Sequence, residues 1–209
     1  MSLELINLWY IVAAALFVFG LKQLGSPATA VRGNLLSSIG MFIAIAVTLF
    51  NAGIISFTWI IVATVIGGVI GAITAQKVAM TSMPELVALF NGSGGIASLF
   101  VGWAALYGAG GSTFTDITIV ISILIGGMTF TGSILAWGKL SEVMTSSAIV
   151  FGAQRLVNAA IVVAIIACSV MFVMNPSADS PYLYAVVGLS FLFGIMAVLP
   201  IGGACSRSN

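Results

Sequence analysis

The sequence has no histidine, two cysteines among 209 residues, and charge at only 5% of its positions, from six Lys or Arg and five Asp or Glu. Each shortage removes a class of function. Histidine is the side chain whose unperturbed pKa suits it to carry protons near neutrality, so any imidazole chemistry must come from another chain. Cys168 lies deep in an apolar run and Cys205 near the last residue, with no CxxC spacing and no histidine to complete a metal set; both are read as unpaired. A net charge of +1, scattered along the chain, cannot form the basic stripe that holds nucleic acid, which excludes that partner. Nor is there a nucleophile with its base, a paired carboxylate site or a phosphate loop, so the chain displays no chemistry of its own.

What is present is apolar. Hydrophobic residues make up 61% of the chain, whereas an ordinary soluble domain is about 25% charged, and the polar surface left over is too small to cover a globule in water. Lipid must be the solvent for most of it. A bilayer core of about 30 Å needs about 20 helical residues, and runs of that size fall at 5–24, 35–51, 57–76, 84–107, 115–137, 156–174 and 182–200. The loops between them are short and carry turn residues: Gly25, Ser26 and Pro27; Asn51 and Gly53; Gly108 to Ser112; Asn175 and Pro176; Pro181. The fold class this predicts is all-α, a polytopic transmembrane bundle of about seven helices with no soluble domain in its loops.

Followed through that topology, Lys22, Arg32, Lys77, Lys139, Arg155 and Arg207 all fall in alternate loops or ends, while the intervening loops have no Lys or Arg. This segregation predicts a cytoplasmic side for all six, with the N-terminus outside and the C-terminus cytoplasmic. Ala28, Thr29 and Ala30 resemble a signal-peptide cleavage site, but Glu4 precedes the first run and the positive charges follow it, so the segment reads as a retained span.

Two helix starts have the spacing of a capping box, Ser82 with Glu85 and Thr113 with Asp116. Within the fifth run, Thr115, Thr118, Ser122, Gly126, Thr129 and Ser133 recur every three or four residues and so share one helical face. The fourth run repeats the pattern with Asn91, Gly94, Gly95, Ser98 and Gly102, set against Leu89, Phe90, Ile96, Leu99 and Phe100. Small and hydroxylated residues let membrane helices approach closely, and Gly67, Gly68 and Gly71 in the third run are expected to do only that. Asn91 is different, because an amide is larger and harder to desolvate than packing requires; it marks a candidate wet interior. Gly92, Gly94 and Ala97 match the spacing of a dinucleotide fingerprint, yet no strand precedes them and no exposed helix end lies there, so the match is discounted.

The stretch Met80-Thr81-Ser82-Met83-Pro84-Glu85-Leu86-Val87-Ala88-Leu89-Phe90-Asn91 resembles the beta subunit of proton-translocating NAD(P) transhydrogenase. So do Gly25 to Asn34 (GSPATAVRGN), Val65 to Gly71 (VIGGVIG), Thr129 to Leu140 (TFTGSILAWGKL) and Leu199 to Ala204 (LPIGGA). The resemblance implies a membrane domain in the bacterial inner membrane that conducts protons while separate water-soluble domains, binding NAD(H) and NADP(H), exchange a hydride. It implies no cofactor in this chain, with NAD and NADP in the full complex. Implied partners are an alpha subunit carrying the NAD-binding domain and further transmembrane helices, an NADP-binding domain, and a second copy of the complex in a homodimer. Family members often have a proton-handling histidine where Asn91 stands; others have asparagine and take the histidine from a partner helix, the arrangement implied here. The family's functional serine falls on Ser133 and its glutamate on Glu85. With the polar stripes, this makes Asn91, Ser133, Glu85, Ser98, Thr129 and Ser122 the candidate proton-pathway residues, with no catalytic or metal-binding residue.

After Ala204 the likeness stops. The family continues with Asp-Met-Pro, two further helices and an NADP-binding domain, whereas this chain reads Cys205-Ser206-Arg207-Ser208-Asn209. Residues 1–204 are therefore expected to form a partial proton-translocating domain and 205–209 a divergent tail, as in a fragment, a split subunit or a disrupted reading frame. The rival reading is a small multi-span transporter or structural membrane subunit whose polar stripes serve only helix packing.

Overall fold

The computed structural model describes residues 3–51, 57–108 and 112–202; Gly53, Cys205 and Arg207 lie outside them. Seven α-helices occupy the described residues: α1 (Leu3–Leu24), α2 (Ala30–Asn51), α3 (Thr58–Lys77), α4 (Met83–Gly108), α5 (Thr113–Leu140), α6 (Gln154–Met174) and α7 (Pro181–Val198). All seven are long and apolar enough to cross a membrane. The helices coincide with the predicted runs, but α2 starts five residues earlier, taking in Arg32, and α5 ends three residues later, taking in Lys139. At 28 residues α5 is about 42 Å long, more than the hydrocarbon core requires, so its polar ends can project beyond the core.

The chain divides into two compact units, one up to Ala72 and the other from Ile73. In the first, α1 and α2 are antiparallel and joined at their backbones by glycines. A Cβ on Gly20 would lie 2.7 Å from Gly33 O, and one on Gly40 would lie 2.7 Å from Ala13 O. Tyr10 and Thr48 share a hydroxyl hydrogen bond of 2.8 Å toward the other end of the pair. The third helix does not follow the expectation for it. No residue of α3 is buried, and the Cβ positions of Gly67, Gly68 and Gly71 have nothing within 4 Å. Those glycines pack no other part of the described chain.

The second unit is arranged around α5. One flank of α5 holds α4 antiparallel, with Gly92 beside Ser133 and Gly102 beside Ser122; the other holds α7 parallel, with Gly127 beside Ser190 and Gly132 beside Gly194. Antiparallel to α7 runs α6, whose Gln154 Nε2 reaches Met196 O at 3.4 Å. The apolar core joins all four helices through Leu99, Ile119, Val120, Ile123, Phe172, Leu183 and Val186. Large apolar side chains such as Phe100, Phe114 and Leu156 point outward. Outward apolar groups are normal where lipid is the solvent, and there dispersion and interhelical hydrogen bonds, rather than escape from water, hold the helices together.

Candidate functional site

Between α4 and α5 the backbones meet where neither helix has a Cβ. A Cβ on Gly126 would stand 2.6 Å from both Gly95 O and Leu99 N, and one on Gly95 would stand 2.8 Å from Phe130 N and 2.9 Å from Thr129 Cβ. Real carbon contacts are never so short, so this crossing exists because both residues are glycine. Away from the crossing in each direction the fit relaxes: one turn before Gly95 the Cβ position of Gly92 is 3.1 Å from Ser133 Cβ, and two turns after it that of Gly102 is 3.1 Å from Ser122 Cβ.

The tight crossing brings polar side chains within reach. Asn91 Nδ2 donates to Ser133 Oγ at 2.8 Å, and Ser122 Oγ donates across the same seam to Ser98 O at 3.0 Å. Ser133 is 7% exposed, while Asn91 lies on the open edge of the helix pair. That bond uses one of the two N–H groups of the Asn91 amide, and Ser133 uses its oxygen as the acceptor. Ser98 is exposed and returns its own hydroxyl to Gly94 O at 3.0 Å; Thr129 is half-buried against Gly95. Glu85 is half-buried in the first turn of α4, six residues before Asn91 and thus about 9 Å along the axis.

Of the six candidate residues, five line this seam or its edge and Glu85 stands at its end. Two details of the expected stripes are corrected. Leu99, assigned to the far surface of α4, is buried in the core because it sits one turn beyond Gly95 on the contact face. Gly94, assigned to the contact face, has nothing within 4 Å of its Cβ position. The capping boxes are corrected too. Ser112, not Thr113, caps α5, its hydroxyl accepting from Thr115 N at 3.2 Å and pairing with Thr115 Oγ1 at 2.9 Å; Asp116 is buried in the first turn. Ser82 stands just before α4, but it closes a 3-10 turn through its backbone N–H to Ala79 O (2.9 Å), and no side-chain bond joins it to Glu85.

The opposite flank of α5 carries contacts the stripes did not indicate. Thr131 Oγ1 donates to Phe191 O at 2.9 Å, and Ser190, fully buried, gives its hydroxyl to Val187 O at 2.7 Å. At the end of α5, Lys139 is 3% exposed, its Nζ surrounded by carbonyls of the α7 terminus. Its position at a helix end was the available signal, but orientation counting treats every lysine as a loop charge.

A profile of the NAD(P) transhydrogenase beta subunit matches residues 6–205. This chain belongs to that family. The NAD(P) transhydrogenase subunit beta of Rhodospirillum rubrum is 34% identical over 204 residues, covering 93% of this chain and 44% of the relative, and the same figures hold for the protein of its strain ATCC 11170. The chain thus spans under half the length of the curated relatives it matches. Seven helices of membrane-spanning length, in a transhydrogenase beta-subunit chain, make this a membrane protein. The nucleotide-like spacing of Gly92, Gly94 and Ala97 lies wholly within α4, with Gly92 packed against Ser133. Among the described residues no group of His, Cys, Asp and Glu could hold a metal ion.

Proposed function

We propose that this chain is the membrane part of a bacterial proton-translocating NAD(P) transhydrogenase and that the α4–α5 seam forms part of its proton path. The observation that carries this reading is the bond from Asn91 to Ser133, which joins an exposed amide to a buried hydroxyl across the α4–α5 seam. In hydrocarbon, exposed amide groups are costly unless water or another polar group meets them, and polar groups facing a bundle interior commonly mark ion routes. A hydroxyl can accept one proton and pass on its own, so Ser133 can relay; Asn91 cannot ionise, but it orients Ser133 and presents two further groups to a partner.

Ser122, Ser98 and Thr129 extend the polar lining toward one end of α4 and α5, and Glu85 stands at the other. Since the chain contains no histidine, a proton-carrying imidazole would be supplied by a helix of the alpha subunit. Hydride exchange between NAD(H) and NADP(H) belongs to separate soluble domains. The dinucleotide-like glycines cannot cradle a pyrophosphate from inside α4, because their backbone N–H groups are held in the helix. The assembly is a homodimeric complex in the bacterial inner membrane, with the basic loop ends cytoplasmic.

The test is substitution in the assembled complex. Asn91→Leu and Ser133→Ala should each reduce proton-coupled transhydrogenation more than they reduce expression and membrane insertion. Normal coupling with both substitutions would exclude the pair from the mechanism and favour the packing reading.

A further inference from the structure

Lys139 is the most buried charged residue among those described, yet its Nζ is met by backbone alone: Leu199 O at 2.7 Å, Ile201 O at 2.7 Å and Val198 O at 3.3 Å. The reason lies in topology. Because α5 and α7 run parallel, their C-terminal ends, each the negative end of a helix dipole, come together; the last carbonyls of α5 are met by Ser141 N, Met144 N and Ser146 Oγ, while those at the end of α7 are met in part by Lys139. An ammonium group has three donors and a positive charge, which answers both the hydrogen bonding and the field.

The same cap gathers the segment after α5. Ser146 Oγ donates to Lys139 O at 3.0 Å, and Ile149 N donates to Leu199 O at 3.0 Å, so a carbonyl held by Lys139 also holds the returning loop. The chain makes that return through Glu142, a non-glycine residue at φ 57°, in the left-handed region that side chains seldom adopt. Such backbone persists where surrounding contacts fix it.

Ser133 stands six residues before Lys139 on α5, about 9 Å along the axis. Thr131 and Gly132, just before Ser133, pack on α7, whereas Ser133 itself packs on α4. The glycine crossing at Gly95 and Gly126 sets how closely α4 and α5 approach, and the seating of Thr131 and Gly132 on α7 is a second constraint on the same stretch of α5, so a shift of α5 along α7 would also disturb Ser133 beneath Gly92 and Asn91. We infer that Lys139 is a positioning residue that locks the register of α5 against α7 and keeps Ser133 sheltered in its bond with Asn91.

The functional importance of the lock rests on the proton-path reading of Ser133, but the lock is testable without any activity measurement. In membranes containing the full chain, Cys168→Ala and Cys205→Ser would remove the native thiols and Ser133→Cys would report access of N-ethylmaleimide. Ile123→Cys would serve as a control, since Ile123 is fully buried farther along α5. Replacing Lys139 by Met should speed labelling at position 133 on the order of tenfold, by freeing charge-assisted bonds that hold the region closed, with little change at position 123. Lys139→Arg, which keeps charge and donors, should restore slow labelling. If Lys139→Met prevents insertion, Lys139→Gln retains part of the donor set and should give an intermediate rate. Unchanged labelling at 133, equal acceleration at 133 and 123, or failure of Arg to restore shelter would each overturn the inference. Failure here leaves the proton-path reading to the activity test of Asn91 and Ser133, and failure of that test leaves the lock intact as geometry.

Discussion

Asn91 and Ser133 lie 42 positions apart in sequence and are joined by a single 2.8 Å hydrogen bond from the amide to the hydroxyl. The bond crosses between helices at a point where Gly92 offers no side chain to keep Ser133 away. Exposed on one side and buried on the other, the pair connects the interior of the α4–α5 contact with its open edge.

Because both residues act through one bond, their substitutions should not add. Either Asn91→Leu or Ser133→Ala removes the interaction, so the double variant should lose little more than the worse single one. Interhelical hydrogen bonds in membranes contribute roughly 0.6 kcal/mol on average and up to about 1.7. A double-mutant cycle on unfolding of the purified chain in detergent should therefore return a coupling energy in that range. Strict additivity would show that the two side chains do not interact in the folded protein.

Glycines in this chain should divide into two classes by their response to a single methyl group. Gly126→Ala places a Cβ 2.6 Å from Gly95 O and Leu99 N, both backbone atoms that cannot swing aside, and should destabilise the chain by about 1–3 kcal/mol. Gly68→Ala places its Cβ in open space within a helix, and should be neutral or stabilising by up to about 1 kcal/mol. Thermal denaturation of the two variants of the isolated chain, followed by circular dichroism, makes the comparison directly. Equal losses would mean that α3 is packed in solution as closely as α5.

The sequence made much of this legible, for reasons specific to membranes. Helix positions could be read because a helix in lipid must satisfy its own backbone over a fixed thickness, and the runs of apolar residues record that length. The α4–α5 seam was readable because polar residues are rare there, so a stripe that includes Asn91, Ser122 and Ser133 stands out against apolar neighbours. Which glycines pack could not be read, since Gly68 and Gly71 have the same three-residue separation as Gly92 and Gly95, yet the Cβ positions of Gly67, Gly68 and Gly71 have nothing within 4 Å. Leu99 was misplaced for a related reason: an apolar side chain is equally at home in lipid and in the core, so hydrophobicity does not say which way it points. The roles of Lys139 and Thr131 depend on α5 and α7 being parallel neighbours, a relationship between distant segments that no local pattern encodes.

Thr131 provides a check that polarity alone does not place a residue on the proton path. Only two positions from Ser133, it faces the other flank, where Thr131 Oγ1 contacts Phe191 O at 2.9 Å and Gly127 O at 3.2 Å. That flank is closed: Ser190 is fully buried, its hydroxyl given to Val187 O, and Gly127 and Gly194 bring the helices together. A side chain whose proton is held by backbone carbonyls in a dry contact is a packing device, as hydroxyls in membrane helices often are. Thr131→Val keeps the shape and removes the donor, so it should lower stability by about 0.6–1.7 kcal/mol while leaving proton-coupled turnover of the assembled complex nearly unchanged. Ser133→Ala should show the opposite balance, with a larger loss of coupling than of stability. Measuring denaturation midpoint and coupled activity for both variants separates the two flanks, and a coupling defect in Thr131→Val as large as that in Ser133→Ala would place the proton route on both sides of α5 instead of one.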